Sequence, residues 1–292
     1  MWCGKLVTVF AGAALVTTAH AEDLGAHDLG RGEVGRADPN GSAGGGASVA
    51  ANALADQYLA FTGGKVGVDK TWGLRAGALD SRTSNITLAV GYYRLWDTLP
   101  RTGEDLPGWK APEDDLLNAA THQGSWLGVA YPMLDRKVSV AADARLDFYT
   151  SELLGDDWAF NFGFSAAAKP VESLTFSLAT RNLLETNYRD TERSLEIGAR
   201  FDPGKYLGLE VNTVAPLIKG VDWKMVGWHV GGDVGIADVI ALRGGFMADD
   251  GESYGCGGLG FLSEKASLDY GVRIQVSDAK RTWHQLDLTV KF

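Results

Sequence analysis

From Gln57 to Phe292 the chain switches, residue by residue, between apolar side chains and small or polar ones. Trp158, Phe160, Phe162 and Phe164 alternate with Ala159, Asn161, Gly163 and Ser165. Leu195, Ile197, Ala199 and Phe201 alternate with Glu196, Gly198 and Arg200. Leu268, Tyr270, Val272, Ile274 and Val276 alternate with Asp269, Gly271, Arg273 and Gln275. A helical period would scatter these apolar positions around a cylinder, whereas a period of two places each set on one face of a sheet. Read this way, the chain predicts about fourteen strands, near 56–62, 69–80, 84–97, 122–132, 137–149, 157–168, 172–183, 193–202, 206–215, 223–235, 238–247, 254–263, 266–276 and 282–292. Most have about the 9–11 residues that a tilted strand needs to cross the hydrocarbon of a bilayer.

The connections carry a second regularity. Those near 81–84, 133–136, 169–171, 203–205, 236–237 and 264–265 are short, with turn chemistry such as Lys169-Pro170 and Asp202-Pro203-Gly204. The intervening ones are mostly longer, the longest being Leu99–Thr121, where Pro112-Glu113-Asp114-Asp115 opens either a short helix or a solvated loop. Alternation of short turns and long loops is expected of a membrane barrel with both termini on its periplasmic side.

A soluble β-sandwich also alternates, so the polar face has to decide. That face is Gly-rich and carries charges of both signs in mid-strand: Arg75, Asp143, Arg145, Asp147, Glu196, Arg200, Asp233, Arg243 and Arg273. His229 alternates onto the same face as Gly227, Gly231 and Asp233. A narrow polar lumen can pair such groups, while a lipid-facing Arg or Lys at mid-membrane costs roughly 2–4 kcal/mol. The expected fold is therefore all-β, a closed antiparallel transmembrane barrel of about fourteen strands. A secreted or periplasmic sandwich or soluble barrel is the alternative. Trp72, Tyr92, Trp96, Trp126, Tyr149, Trp158 and Trp283 lie near strand ends and are candidates for aromatic girdles at the two interfaces.

Upstream, Lys5, the apolar run Leu6–Val16 and Ala19-His20-Ala21 have the form of an export signal cleaved near Ala21. Residues 22–56 are Gly- and Ala-rich, with Asp38-Pro39-Asn40-Gly41 and Gly44-Gly45-Gly46, and a short helix is possible near Ala47–Ala55. The expected organisation is a signal over 1–21, an N-terminal segment over 22–56 and a barrel over 57–292. Cys3 falls in the signal and leaves Cys256 without a disulfide partner. The net charge of −10 argues against nucleic acid as a partner.

The stretch Lys169-Pro170-Val171-Glu172-Ser173-Leu174-Thr175-Phe176-Ser177-Leu178, continuing to Arg181-Asn182-Leu183, resembles a turn and strand pair of the FadL-like and PorV/PorQ-like outer-membrane barrels. Gly198-Ala199-Arg200-Phe201-Asp202-Pro203 with Leu207-Gly208-Leu209 resembles a second such unit. The resemblance implies fourteen strands and, as in the fatty-acid transporters, an N-terminal segment folded into the lumen as a hatch. The C-terminal Leu286-Asp287-Leu288-Thr289-Val290-Lys291-Phe292 resembles the strand signal through which such barrels meet the insertion machinery, with Phe292 as its terminal aromatic.

Catalytic signals are weak. Gly255-Cys256-Gly257-Gly258-Leu259-Gly260 matches the spacing of a dinucleotide loop but lacks the strand-to-helix turn that binding needs. His27, His122, His229 and His284 show no metal-ligand spacing. His229 beside Asp233 could form an acid–base pair, yet no Gly-x-Ser-x-Gly elbow supplies a nucleophile. No catalytic residue, cofactor or metal is expected. The expected address is the bacterial outer membrane, with its lipid and the barrel-assembly machinery as partners. The expected role is passive transport of a small hydrophobic molecule or membrane partnership with exported proteins. A general diffusion pore, a structural outer-membrane protein, a soluble periplasmic binding protein and a membrane esterase are the alternatives.

Overall fold

A computed structural model describes residues 26–29, 31, 33–40, 49–67, 72–96, 121–151, 155–184, 193–217, 226–249, 252–277 and 282–292. The export signal, the helix or loop near 112–117 and most long connections lie outside them. Fourteen antiparallel strands form one closed barrel. They are β1 (Tyr58–Gly67), β2 (Trp72–Asp80), β3 (Thr87–Trp96), β4 (Thr121–Met133), β5 (Val138–Ser151), β6 (Gly155–Val171) and β7 (Leu174–Arg181). The circuit continues with β8 (Ser194–Gly204), β9 (Leu207–Pro216), β10 (Gly227–Ile236), β11 (Ile240–Asp249), β12 (Glu252–Leu262), β13 (Ala266–Gln275) and β14 (Thr282–Lys291). Each strand pairs with its sequence neighbours, and β1 closes on β14 from Leu59↔Lys291 to Gly67↔Trp283. At the seam the Phe292 amide donates to the Tyr58 carbonyl at 2.9 Å, and their rings lie 5.2 Å apart.

The alternation becomes two surfaces. Leu88, Val90, Leu127, Val129, Phe160, Phe164, Leu209, Val211, Leu286 and Leu288 are all exposed on the outside. Arg75, Arg145, Asp147, Asn161, Glu196, Glu210, Asn212, Arg273 and Asp287 are buried on the inside. This is the reverse of a water-soluble barrel. An apolar belt around the whole circumference far exceeds the few hundred Å² of contiguous apolar surface that soluble monomers expose. Lipid is the solvent that suits it, and the closed ladder leaves no strand edge there without hydrogen bonds. The fold is a transmembrane β-barrel.

Two turns differ from expectation. Lys169-Pro170 and Asp202-Pro203-Gly204 are not turn centres but strand ends, beside register shifts between Ala168 and Val171 and between Phe201 and Gly204. The reversals follow at Glu172-Ser173 and Lys205-Tyr206. Proline has no amide to give the ladder, so it is tolerated where pairing slips. β1 also runs further than predicted, to Gly67, because the prediction stopped at the Gly63-Gly64 pair. The β4–β5 turn holds three consecutive non-glycine residues in the left-handed region, Leu134, Asp135 and Arg136, at φ 51°, 54° and 61°. Each costs on the order of 1–2 kcal/mol.

Of the girdle candidates, Trp72, Tyr92 and Trp158 are exposed outside, and Trp72 stacks on Trp96 at 3.8 Å. Trp126, Tyr149 and Trp283 are buried inside, which removes them from the girdle. Their parity explains why: Trp126 alternates with Leu127, Tyr149 shares the face of Arg145 and Asp147, and Trp283 shares that of Gln285 and Asp287.

The outward face makes a direct prediction. Leu127→Arg, at the centre of β4, should destabilise the barrel by about 2–4 kcal/mol in urea unfolding from lipid vesicles. Gln123→Arg, on the same face two residues from the end of β4, should cost clearly less.

Candidate functional site

The bore is not empty. The described parts of the N-terminal segment, including α1 (Ala26–Leu29) and α2 (Val49–Asn52), lie inside it. Leu29, Arg31, Glu33, Val34 and Ala37 have no exposed surface. Two glycines permit this close approach. A Cβ on Gly231 of β10 would lie 1.7 Å from the Arg31 carbonyl oxygen. A Cβ on Gly35, which sits at φ +148°, would lie 2.7 Å from the Asp28 carboxylate.

On the β8–β14 side the segment is seated by charge. Arg31 reaches Asp28 (2.8 Å) and Asp38 (3.0 Å) within the segment, and Asp233 (3.2 Å) and Glu210 (3.5 Å) in the wall. Arg200 binds Asp38 (3.1 Å) from the wall, together with Asp202 (2.9 Å) and Asp233 (3.3 Å). Arg36 pairs with Glu196 at 2.9 Å. Glu33 pairs with Arg273, whose guanidinium lies 5.0 Å from the Tyr254 ring centroid and 4.3 Å from that of Trp283. The Gly35 and Ala37 amides both donate to Glu210 Oε1 at 2.9 Å. Buried ion pairs roughly break even against apolar packing, but removing one partner strands the other. Such pairs specify a position more than they add stability.

On the β1–β7 side the contact is apolar. Val49, Ala50, Ala51, Ala53 and Leu54 share one cluster with Leu59, Phe61, Leu79, Ala89, Trp126, Ala130, Ala141 and Ala167. Ser139 donates to the Ala50 carbonyl, and Arg136 donates to the carbonyls of Ala53 (2.9 Å), Ala55 (3.3 Å) and Ser81.

The ten candidate lumen residues fall into several groups. Glu196, Arg200, Asp233 and Arg273 meet the N-terminal segment as described. His229 has no exposed surface and sets Nδ1 3.4 Å from the Glu33 carbonyl oxygen, while Asp233 is taken by Arg31 and Arg200. The two do not form the acid–base pair considered from the sequence. Arg75 makes a two-bond pair with Asp287, at 2.7 and 3.2 Å. Arg243 pairs with Asp269 at 2.7 Å. Arg145 and Asp147 pair at 2.9 Å, and Asp143 is half-buried facing Gly163.

Sequence reasoning missed several members. Arg31, Glu33, Arg36 and Asp38 looked like part of a Gly/Ala-rich loop. Glu210 and Asn212 sit on the polar parity of β9 and were legible there. Tyr93 and His122 join Arg145–Asp147 through the Tyr93 hydroxyl, with His122 Nε2 2.9 Å from that hydroxyl and 3.2 Å from Asp147. His122 also stacks on Tyr149 at 4.4 Å. His122 was weighed only as a metal ligand. Among the described residues no group of His, Cys, Asp and Glu has metal-site geometry.

Together these features define a class: a closed fourteen-stranded transmembrane barrel whose bore is occupied by its own N-terminal segment. No protein-family model and no curated protein matches the sequence. Solved structures do match. The Ralstonia pickettii toluene transporter TbuX is similar over 92% of this chain and 97% of its own, at 11% identity and a TM-score of 0.61. A Pseudomonas aeruginosa FadL homologue is similar over 92% and 98%, at 12% identity and 0.59. A mutant of the monoaromatic hydrocarbon channel TodX is similar over 92% and 98%, at 10% identity and 0.58. The chain shares its fold with these three proteins.

Two outcomes follow from the ion pairs. Arg75→Met should cost about 3–5 kcal/mol in urea unfolding by leaving Asp287 buried without its guanidinium, and Arg75→Met with Asp287→Leu should recover most of that. Burial pushes the Glu33 carboxyl up, but Arg273, helped by His229, Lys65 and Arg36, brings it below the usual 4.5. A lowered folded value means the pair contributes fully above the ordinary range and is lost as pH falls through the lowered one. The stability difference between wild type and Glu33→Gln should therefore hold at neutral pH and close as the pH falls below 4.5, followed by thermal unfolding across pH.

Proposed function

We propose that this protein is a passive channel of the bacterial outer membrane for small hydrophobic molecules, with the N-terminal segment 22–56 as its hatch. The observation that carries the reading is the occupied bore. A segment with no exposed surface at Leu29, Arg31, Val34 and Ala37 blocks free passage of water-borne solutes along its half of the lumen. A general diffusion pore needs an open, wetted lumen. The fold is shared with a toluene transporter and a monoaromatic hydrocarbon channel, which supports a hydrocarbon-sized apolar cargo. The segment is seated by reversible contacts, so its displacement supplies the gate. Lipid surrounds the apolar belt. The narrower likeness to PorV/PorQ-type barrels rests on the stretches 169–183 and 198–209 alone, and partnership with exported proteins is the weaker reading.

Uptake of radiolabelled toluene by Gram-negative cells tests the cargo. Cells making the protein should take it up several-fold faster than cells lacking it. Planar bilayers in potassium chloride test the gate: the intact protein should show no large steady conductance, and deletion of residues 26–40 should open one. A large ohmic conductance from the intact chain would replace this reading with a diffusion pore.

A further inference from the structure

The N-terminal segment is attached in two chemically unlike ways, and the attachments differ in what they leave behind when broken. Among the described residues, four of the five wall groups that pair with side chains of residues 26–40 keep a second ionic partner within the wall. Glu196 has Arg181 (3.2 Å), Glu210 and Asp233 have Arg200 (3.7 and 3.3 Å), and Arg200 has Asp202 (2.9 Å). Arg273 has the Tyr254 and Trp283 rings. The segment is self-sufficient in the same sense: Arg31 holds Asp28 and Asp38, and Arg36 donates to the Glu33 carbonyl at 2.6 Å. Separation parts Glu33 from Arg273 and the Gly35 and Ala37 amides from Glu210, but leaves the other wall charges paired, which lowers the usual penalty for parting buried ions. Leu29, Val34 and Ala37, though buried, belong to none of the described apolar clusters.

Residues 49–57 are the opposite case. Val49, Ala50, Ala51, Ala53 and Leu54 are built into the main apolar cluster. Their carbonyls at Ala50, Ala53 and Ala55 are held by Ser139 and Arg136, and Ser81 Oγ donates to the Ala55 carbonyl at 2.6 Å while accepting the Gln57 amide at 3.0 Å. Arg136, which reaches these carbonyls, is the last residue of the left-handed run Leu134–Arg136. Withdrawal would expose apolar surface and leave main-chain acceptors without donors.

We infer that the hatch is divided: residues 49–57 are a fixed footing continuous with β1, and residues 26–40 are the part that leaves its seat. This rests on the transport reading for its purpose, but its test does not. Hydrogen–deuterium exchange of the full chain in lipid nanodiscs, read by mass spectrometry, compares the two segments directly. Amides in 26–40 should exchange at least about tenfold faster than those in 49–57, since exchange reports the free energy of local opening.

Two reversible locks sharpen the comparison in a Cys256→Ser background. A Cβ on Gly198 would lie 3.2 Å from the Arg36 Cβ, and one on Gly128 would lie 3.4 Å from the Val49 Cβ, close to the roughly 3.5–4.5 Å that disulfides use. Oxidised R36C/G198C should slow exchange in 26–40 by about tenfold relative to its own reduced form, while oxidised V49C/G128C should leave 26–40 unchanged. Equal exchange of the two segments in the wild type would overturn the division. So would a V49C/G128C lock that slows 26–40 as much as the other. Toluene uptake by the same variants tests the channel separately: normal division with no uptake in any variant would remove the transport reading and leave the divided hatch standing.

Discussion

The hydrogen-bonded seam between β1 and β14 is the contact on which the rest of this structure depends. Fourteen strands in an open sheet would present two bare edges to hydrocarbon, where each unsatisfied amide or carbonyl costs several kcal/mol. Pairing Leu59 to Lys291 through Gly67 to Trp283 removes both edges. Closure also divides the two residue parities into an outside and an inside. Leu127 and Val129 then belong to lipid, and Arg145 and Asp147 to the lumen. A one-residue slip of any strand would reverse that assignment for all its side chains, so the alternating pattern and the closed register enforce one another.

Once the barrel is closed, its charged lining has to be neutralised in a space with little water. The wall does part of this itself, through Arg75–Asp287, Arg243–Asp269 and Arg145–Asp147. The N-terminal segment completes it along β8, β10 and β13, threading Arg31, Glu33, Arg36 and Asp38 into a field of wall carboxylates and guanidiniums. Charge is suited to a seat that must be specific and also releasable. Apolar packing and carbonyl capture are suited to a footing. The bore uses the first on the β8–β14 side and the second on the β1–β7 side, and that asymmetry gives an occupied barrel a direction in which to open.

The period-two alternation by itself determined the strand number and the face on which each candidate charge lies, because a strand's side-chain period is fixed by backbone geometry and needs no distant partner. The same rule, applied residue by residue, would have turned Trp126, Tyr149 and Trp283 inward. Only the tertiary structure decided which inward groups meet. Glu33 and Arg273 are 240 positions apart, and no local pattern could join them. The resemblance implied that the Gly- and Ala-rich stretch enters the lumen, but only the tertiary structure showed its charged residues buried against the wall. Its short helices and isolated ionic residues carry no periodicity, and they acquire fixed places only against a wall assembled from strands far along the chain.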